Sequence, residues 1–263
     1  MIAALPMYDR PETAAATDRY WGLIRDGLRA REIEAPDDLT RTDDLWTLWQ
    51  SPDLVLAQTC GLPFRAHLHA QVQLVGTPDF GLPGCAPGYY NSVIIARASD
   101  GAVPLTTLMA GRVAINEGLS QSGWAAFHDF AQSIGMTPAR PLISGGHRNS
   151  ARMVAEGRAD IAALDAQTWG LILRHDAWSE RLTERSCTRK TPALPYITAR
   201  GRDAEAIANA VEEAIAALAP EDRQVLGLVG LARIPASDYL AQPLPPDPAD
   251  MPENPVTPAD DHG

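Results

Sequence analysis

The chain has 263 residues, a formal charge of −11, 45% hydrophobic residues and 21% charged ones. This balance belongs to a folded protein with a sizeable core and excludes a disordered chain. The negative field excludes a general nucleic-acid surface, which needs clustered basic groups, and no apolar run approaches the roughly 18 residues of a membrane helix.

The first residues, Met1 to Met7, lack the basic lead of a secretory signal and are broken by Pro6. They read as a first strand. As encoded, the chain is expected to stay in the cytoplasm; a start further upstream would make it periplasmic. The next elements come in order. Tyr20, Trp21, Ile24 and Leu28 recur at helical spacing between Glu12 and Arg31. Trp46 and Trp49 read as core residues on a short helix. Leu54–Ala57, Val72–Val75 and Ser92–Ala96 read as strands. Gly76–Gly88, rich in Gly and Pro, reads as a loop.

The pattern then restarts. Pro104–Ala110 reads as a short helix closed by Gly111, and Arg112–Ile115 as a strand. Trp124, Phe127, Phe130 and Ile134 form one helical face stopped by Gly135. Leu142–Ile143 is a short strand, Ser150–Glu156 a helix, and Ile161–Leu164 a buried strand ending at Asp165. Tyr196–Ala199 is again a strand, and Asp203–Leu218 a helix with Ile207, Val211, Ile215 and Leu218 on one face. Strands alternating with helices predict a mostly parallel, doubly wound α/β sheet in two lobes. The expected division is 1–97 with 193–241, then 98–192. From Gln242 onward there are seven prolines, five acidic residues and no Lys or Arg. That composition predicts a disordered acidic tail over 242–263.

Candidate chemistry collects at strand ends, where open α/β sheets bind ligands. Asn116 to Trp124 lies after a strand and opens a helix, so its free N–H groups and partial positive charge suit an anion. Ser120 and Ser122 supply hydroxyl donors, and Gly123 lets the backbone approach closely. A plain helix cap explains the same serines equally well. Gly145-Gly146-His147 sits between a strand and a helix, which places His147 at the same sheet edge. A protonated His there would hold an oxyanion more tightly; an exposed loop histidine is the plain alternative. Asp165 can accept from a ligand amine or a protonated ligand oxygen, or simply cap the next helix. Tyr8 and Tyr90 lie at strand edges, where a phenol can both pack and donate.

Other signals are weaker. His67 and His69 lack a third ligand, so a loop is expected and no metal site. Cys60, Cys85 and Cys187 fit neither a zinc nor a redox spacing; Cys60 and Cys85 both lie in loops after strands and could approach each other, while in the cytosol three thiols are expected. No complete acid–base–nucleophile set is evident, and Lys190, the single lysine, is the one candidate for a Schiff base.

The order of these features resembles the phosphate/phosphite/phosphonate-binding family, the substrate-binding components of phosphonate-type ABC transporters. The resemblance rests on Leu5-Pro6-Met7-Tyr8, Gly88 to Ile95, Leu105 to Gly111, Ser120-Gln121-Ser122-Gly123, Gly146-His147 and Ala151 to Asp165. It covers roughly residues 1–240. It implies a type 2 periplasmic-binding-protein fold with a ligand cleft between two α/β lobes. It also implies a small oxyanion ligand held by Tyr8, Tyr90, Ser120, Gln121, Ser122, His147 and Asp165, with no cofactor; Gly123 joins these candidates from the turn itself. The expected protein is a monomer that serves an ABC permease. Gln121 departs from the family turn, where a hydroxyl residue is usual, and Trp124 stands where Tyr is common. The alternative is a cytosolic enzyme, or a ligand sensor, on the same fold.

Overall fold

The computed structural model describes residues 1–253, which form two compact units. The first comprises 1–91 and 190–244; the second begins at Ser92, runs to Arg189, and takes up the chain again from Pro245. The chain therefore passes between units three times: at Asn91/Ser92, at Arg189/Lys190 and at Leu244/Pro245.

The first unit is built on strands β1 (Ile2–Ala4), β2 (Leu54–Gln58), β3 (Val72–Asp79) and β4 (Tyr89–Tyr90). The second unit contributes β5 (Ser92–Arg97), β6 (Val113–Ile115), β7 (Leu142–Ile143), β8 (Ile161–Asp165) and β9 (Leu182–Cys187). The first unit then adds β10 (Thr191–Pro192), β11 (Tyr196–Ala199) and β12 (Gly230–Ala232). Its main sheet has the order β1-β2-β11-β3-β12, beside a small β10-β4 pair. The second unit's sheet has the order β7-β6-β8-β5-β9.

Both five-stranded sheets are mixed rather than mostly parallel. In the first, β1 and β2 are parallel while β11 runs antiparallel to both β2 and β3. In the second, β6 is parallel to β7 and β8, and β5 is antiparallel to β8 and β9. Against the parallel strands run β5 in the second sheet and β11 and β12 in the first; β5 and β11 come after a passage between units, so they do not inherit the direction set by a local strand–helix–strand turn.

Strand alternation explains how the second unit buries its sheet on both faces. Ile161 and Ala163 of β8 join Ile94, Val113 and Ile115 under Trp124 and Phe127 on one face. Ala162 and Leu164 join Val93, Ile95 and Ala114 under Val154, Trp169 and Ile172 on the other. Each fully buried large aliphatic side chain contributes about 1.5–3 kcal/mol. At the far end of the sheet, Asp160 accepts from Arg112 Nη2 at 2.9 Å and from Arg97 Nη2 at 3.1 Å. Burial alone would raise this carboxyl, but the Arg112 and Arg97 bonds outweigh it and hold it at about 2. The ion pairs thus pin the starts of β6 and β8, the strands whose opposite ends carry the candidate site.

Two departures from the sequence expectation have local causes. The strand expected to stop at Val75 continues through Gly76 and Pro78, because β12 pairs with it as Gly230↔Asp79, Leu231↔Pro78 and Ala232↔Thr77. A Cβ on Gly76 would lie 2.7 Å from Leu231, so glycine makes room for that partner. His67, expected in a loop, lies on a π-helical turn over Phe64–Leu68 and packs edge-on against Trp46 at 5.6 Å.

The third departure is the C-terminal segment. Of the 242–263 stretch expected to be disordered, residues 242–253 are described, and the remainder lies outside the described residues. Pro248–Asp250 forms a 3-10 turn, Pro248 is buried, and Met251 is 7% exposed within the second unit's core. Composition alone reads as disorder because the apolar partners of Pro248 and Met251 lie more than a hundred residues away in sequence. Among the described residues, no helix is long and apolar enough to cross a membrane.

Candidate functional site

The three parallel strands β7, β6 and β8 release their carboxyl ends at one edge of the second unit's sheet. From that edge come the Ser144–His147 loop, the Ser120–Gly123 turn and Asp165. Backbone bonds from Ser144 N to Ile115 O at 2.8 Å and from Gly145 N to Asn116 O at 2.9 Å tie the loop to the end of β6, from which the chain leads into the turn.

The turn opens a helix whose first five residues, Gln121–Ala125, are π-helical before Ala126–Ser133 continues as α-helix. Ser120 caps it: its Oγ accepts from Gly123 N at 2.9 Å. Its carbonyl accepts from both Trp124 N at 3.2 Å and Ala125 N at 3.0 Å. The plain cap reading is therefore correct for Ser120. A cap alone does not explain the depth of the turn, where Ser120, Gln121 and Ser122 are 1%, 3% and 2% exposed. Polar residues withdrawn from water need partners: Ser120 Oγ accepts from Gly123 N, and Ser122 Oγ lies within hydrogen-bond reach of His147. Gly123 is required by contact rather than by φ: a Cβ there would lie 2.0 Å from Asn116 Oδ1. Asn116 stands at the end of the preceding strand, and no sequence signal gave it a role.

His147 is the first residue of the helix His147–Ala155, three residues earlier than the sequence pattern suggests, behind Gly145 at φ +81. Its Nε2 lies 2.7 Å from Ser122 Oγ. Its Nδ1 is sealed from water and faces the Ala163 carbonyl, without a well-formed hydrogen bond. The carbonyl favours the Nδ1–H tautomer, in which Nε2 accepts the Ser122 hydroxyl proton. Burial drives the imidazole down from 6.5 to about 4, against a smaller upward push from the Ala163 carbonyl. The exposed loop histidine of the plain reading is not found, and burial with no carboxylate against the ring disfavours the protonated state that would hold an oxyanion more tightly.

This has a thermodynamic consequence. Between pH 6.5 and about 4, the unfolded chain binds a proton at this histidine that the folded chain refuses. Stability attached to His147 is therefore complete above that window and falls as pH drops through it. Urea midpoints at pH 7 and pH 4.5 should differ less in His147→Gln than in the parent chain. An identical difference would mean that the ring is not held neutral.

Asp165 is 1% exposed, and its Oδ1 accepts from Thr168 N at 2.8 Å, capping the helix Ala166–His175. The cap reading is correct, and any ligand contact at Asp165 is additional to it.

In the first unit, Tyr8 ends the 3-10 turn Pro6–Tyr8, and its ring meets Phe80 edge-to-face at 4.9 Å. Tyr90, 2% exposed, packs with Ala193 and Leu194 in a small cluster that also takes in Tyr8. The structure thus brings these two predicted tyrosines together. Beside them lies a small pocket of about 30 Å³ lined by Tyr8, Tyr20, Gln58, Phe80 and Tyr196, with no charged side chain on its wall. Burial raises the Tyr20 and Tyr196 phenols above their ordinary range. Helical spacing identified Tyr20 as a core residue; its place on a cavity wall was invisible, since it depends on β11.

Lys190 is exposed, and its Nζ donates to the Gly84 carbonyl. None of the three cysteines is in a disulfide, and the described residues hold no His/Cys/Asp/Glu group suited to a metal.

Two α/β units on five-stranded mixed sheets, with a buried donor turn at the carboxyl edge of one sheet, define a binding-protein type of fold. A family model described as "ABC transporter, phosphonate, periplasmic substrate-binding protein" matches residues 56–239, and the chain belongs to this family. Solved structures share the fold, which is the type 2 periplasmic-binding architecture. PhnD1 from Prochlorococcus marinus, solved with methylphosphonate, is 15% identical with a TM-score of 0.68, over 90% of this chain and 94% of that one. A binding component of an ABC phosphonate transporter from Pseudomonas aeruginosa is 15% identical with a TM-score of 0.62, over 91% and 82%. A Xanthomonas citri protein solved with ATP is 14% identical with a TM-score of 0.63, over 90% and 92%. No curated protein sequence matches the chain.

Proposed function

We propose that the Ser120–Gly123 turn, with His147, grips the anionic end of a small phosphonate or phosphate-like ligand delivered to an ABC permease. The observation that carries this reading is the run of three buried polar residues at a helix start, one of them bonded to a neutral histidine. The Ser122 hydroxyl turns from His147 Nε2 to the ligand oxygen and donates to it, with the first-turn N–H groups adding charge complementarity. His147 Nε2 is then left as an acceptor, suited to a protonated ligand oxygen. Asp165, at the same edge, reads a further proton or an amine on the ligand. Tyr8 and Tyr90 are the first unit's proposed ligand contacts.

The same geometry speaks for binding over catalysis. A Ser–His pair at 2.7 Å is also the arrangement of an activated nucleophile. Here, however, Nδ1 faces a backbone carbonyl rather than a carboxylate, and an imidazole at about 4 is a poor base at neutral pH. The exposed Lys190 on the Gly84 carbonyl lies outside every strand-end motif, which leaves the Schiff-base alternative without support.

Titration calorimetry with phosphate, phosphite, methylphosphonate and 2-aminoethylphosphonate is the test. At least one should bind, and Ser122→Ala should weaken it by about 1–2 kcal/mol, the loss of one donor to a charged group. Asp165→Asn should change the ranking of ligands more than it changes stability. No binding to any of the four at millimolar concentration would overturn the assignment. The family's members are described as periplasmic; fractionation of cells locates this chain.

A further inference from the structure

We propose that residues 245–251 are a positioning strap for the anion-binding turn, so that the chain's own C-terminal segment sets the affinity of the site. The inference rests on the reading that Ser120–Gly123 holds the ligand.

The strap meets the turn on both sides. Before the turn, the Pro248 ring lies 3.2 Å from where a Cβ on Gly118 would sit, so it occupies the space that this glycine leaves. After the turn, Trp124, next to Gly123, is fully buried, and its indole N–H donates to the Pro246 carbonyl at 2.7 Å. Met251 enters the core beside Trp124, Phe127 and Ala131, on the helix that the turn opens. Arg140 fastens the far end: its Nη2 donates to Ala249 O at 2.8 Å and its backbone N–H to Pro252 O at 2.7 Å. Asp247 caps the strap's own turn by accepting from Ala249 N at 2.8 Å.

The composition that looked like disorder suits this task. Proline lacks an N–H, so a proline-rich strap can lie against a protein while leaving few donors unsatisfied. The carbonyls of Pro246, Ala249 and Pro252 serve as acceptors for donors already present on the second unit. Proline also limits the freedom lost on docking. A binding turn needs its donors held to within about half an ångström. The segment that fills the space at Gly118 and satisfies Trp124 is the element placed to hold them.

The full chain is compared with two truncations and one point variant. A stop after Glu253 should bind methylphosphonate like the full chain. A stop after Leu244 should bind at least tenfold more weakly, and a synthetic peptide of residues 245–253 should restore part of the lost affinity. Trp124→Phe keeps an aromatic ring but deletes the donor, and should weaken binding several-fold. Amide exchange at Ser122 to Ala125, read without ligand, should accelerate in both the Leu244 stop and Trp124→Phe. Unchanged amide protection in Trp124→Phe overturns the proposal, whether or not the Leu244 stop folds. So does a folded Leu244 stop that binds like the full chain, or one that the peptide fails to rescue. If the full chain binds no oxyanion, the ligand assignment fails instead, and the exchange measurement still decides the strap.

Discussion

Alanine in place of Gly123 should weaken methylphosphonate binding roughly tenfold or more while leaving the fold intact. The added Cβ would lie 2.0 Å from Asn116 Oδ1 and 3.1 Å from Ser120 Oγ, the cap atom of the helix. The first contact requires the Asn116 side chain to swing away, and the second requires the Ser120 cap to give by a few tenths of an ångström. Asn116 also holds the neighbouring loop, since its carbonyl accepts from Gly145 N at 2.9 Å. A shift there is passed on to the approach of His147. Overpacking of this kind costs about 1–3 kcal/mol, and tenfold in affinity corresponds to about 1.4 kcal/mol. Gly170→Ala is the control. It lies inside a helix of the same unit with nothing within 4 Å of a Cβ, and should leave both affinity and stability unchanged or slightly improved. Calorimetry on both variants decides the matter, and wild-type affinity in Gly123→Ala would place the anion elsewhere.

The second large effect is on stability. Trp124→Ala should cost about 3–5 kcal/mol, the range for deleting a fully buried aromatic side chain. The indole is central to one face of the second unit's sheet, packed with Phe127, Val113 and Ile115. Removing it leaves a cavity, strips Met251 of a neighbour and frees the Pro246 carbonyl. A urea titration reports the loss as a lower midpoint, and a protease reports it as faster cutting within 92–189. A loss below about 1 kcal/mol would mean that the core collapses around the gap, contrary to the rigidity of a close-packed interior.

Much of this site was legible from residues alone, because strand, turn and helix signals stand next to one another in the chain. Ser120–Gly123 was placed at a strand-to-helix turn by local pattern, and the structure puts it there. Tyr8 and Tyr90 were chosen as strand-edge phenols, and they share one cluster. What escaped depends on partners distant in sequence. The neutrality of His147 comes from burial that no local pattern encodes. The strand extension at Gly76 needs Leu231 to be understood. Pro248 and Met251 belong to the core only once Gly118 and Phe127 are near, so counting prolines and acids described the segment's average tendency and missed its destination. The family's usual middle hydroxyl is absent at Gln121, yet that residue is buried with its neighbours. Burial at this turn thus tracks position more closely than residue type.

The threefold passage of the chain between units has a further consequence for its synthesis. Strand β11 lies between β2 and β3, yet it is made more than a hundred residues after them. A nascent chain that has reached only Arg189 therefore carries two strands with unfilled edges and no strand between them, a hazard for association with other chains. The second unit is complete in its sheet by then, but it still lacks Met251 and the acceptor for Trp124. The first unit's sheet is complete only once Ala232 has been made, and the second unit's core only once Met251 has. A ribosome stalled shortly before Pro245 would hold a second unit without the Pro246 acceptor for Trp124 and without Met251 in its core.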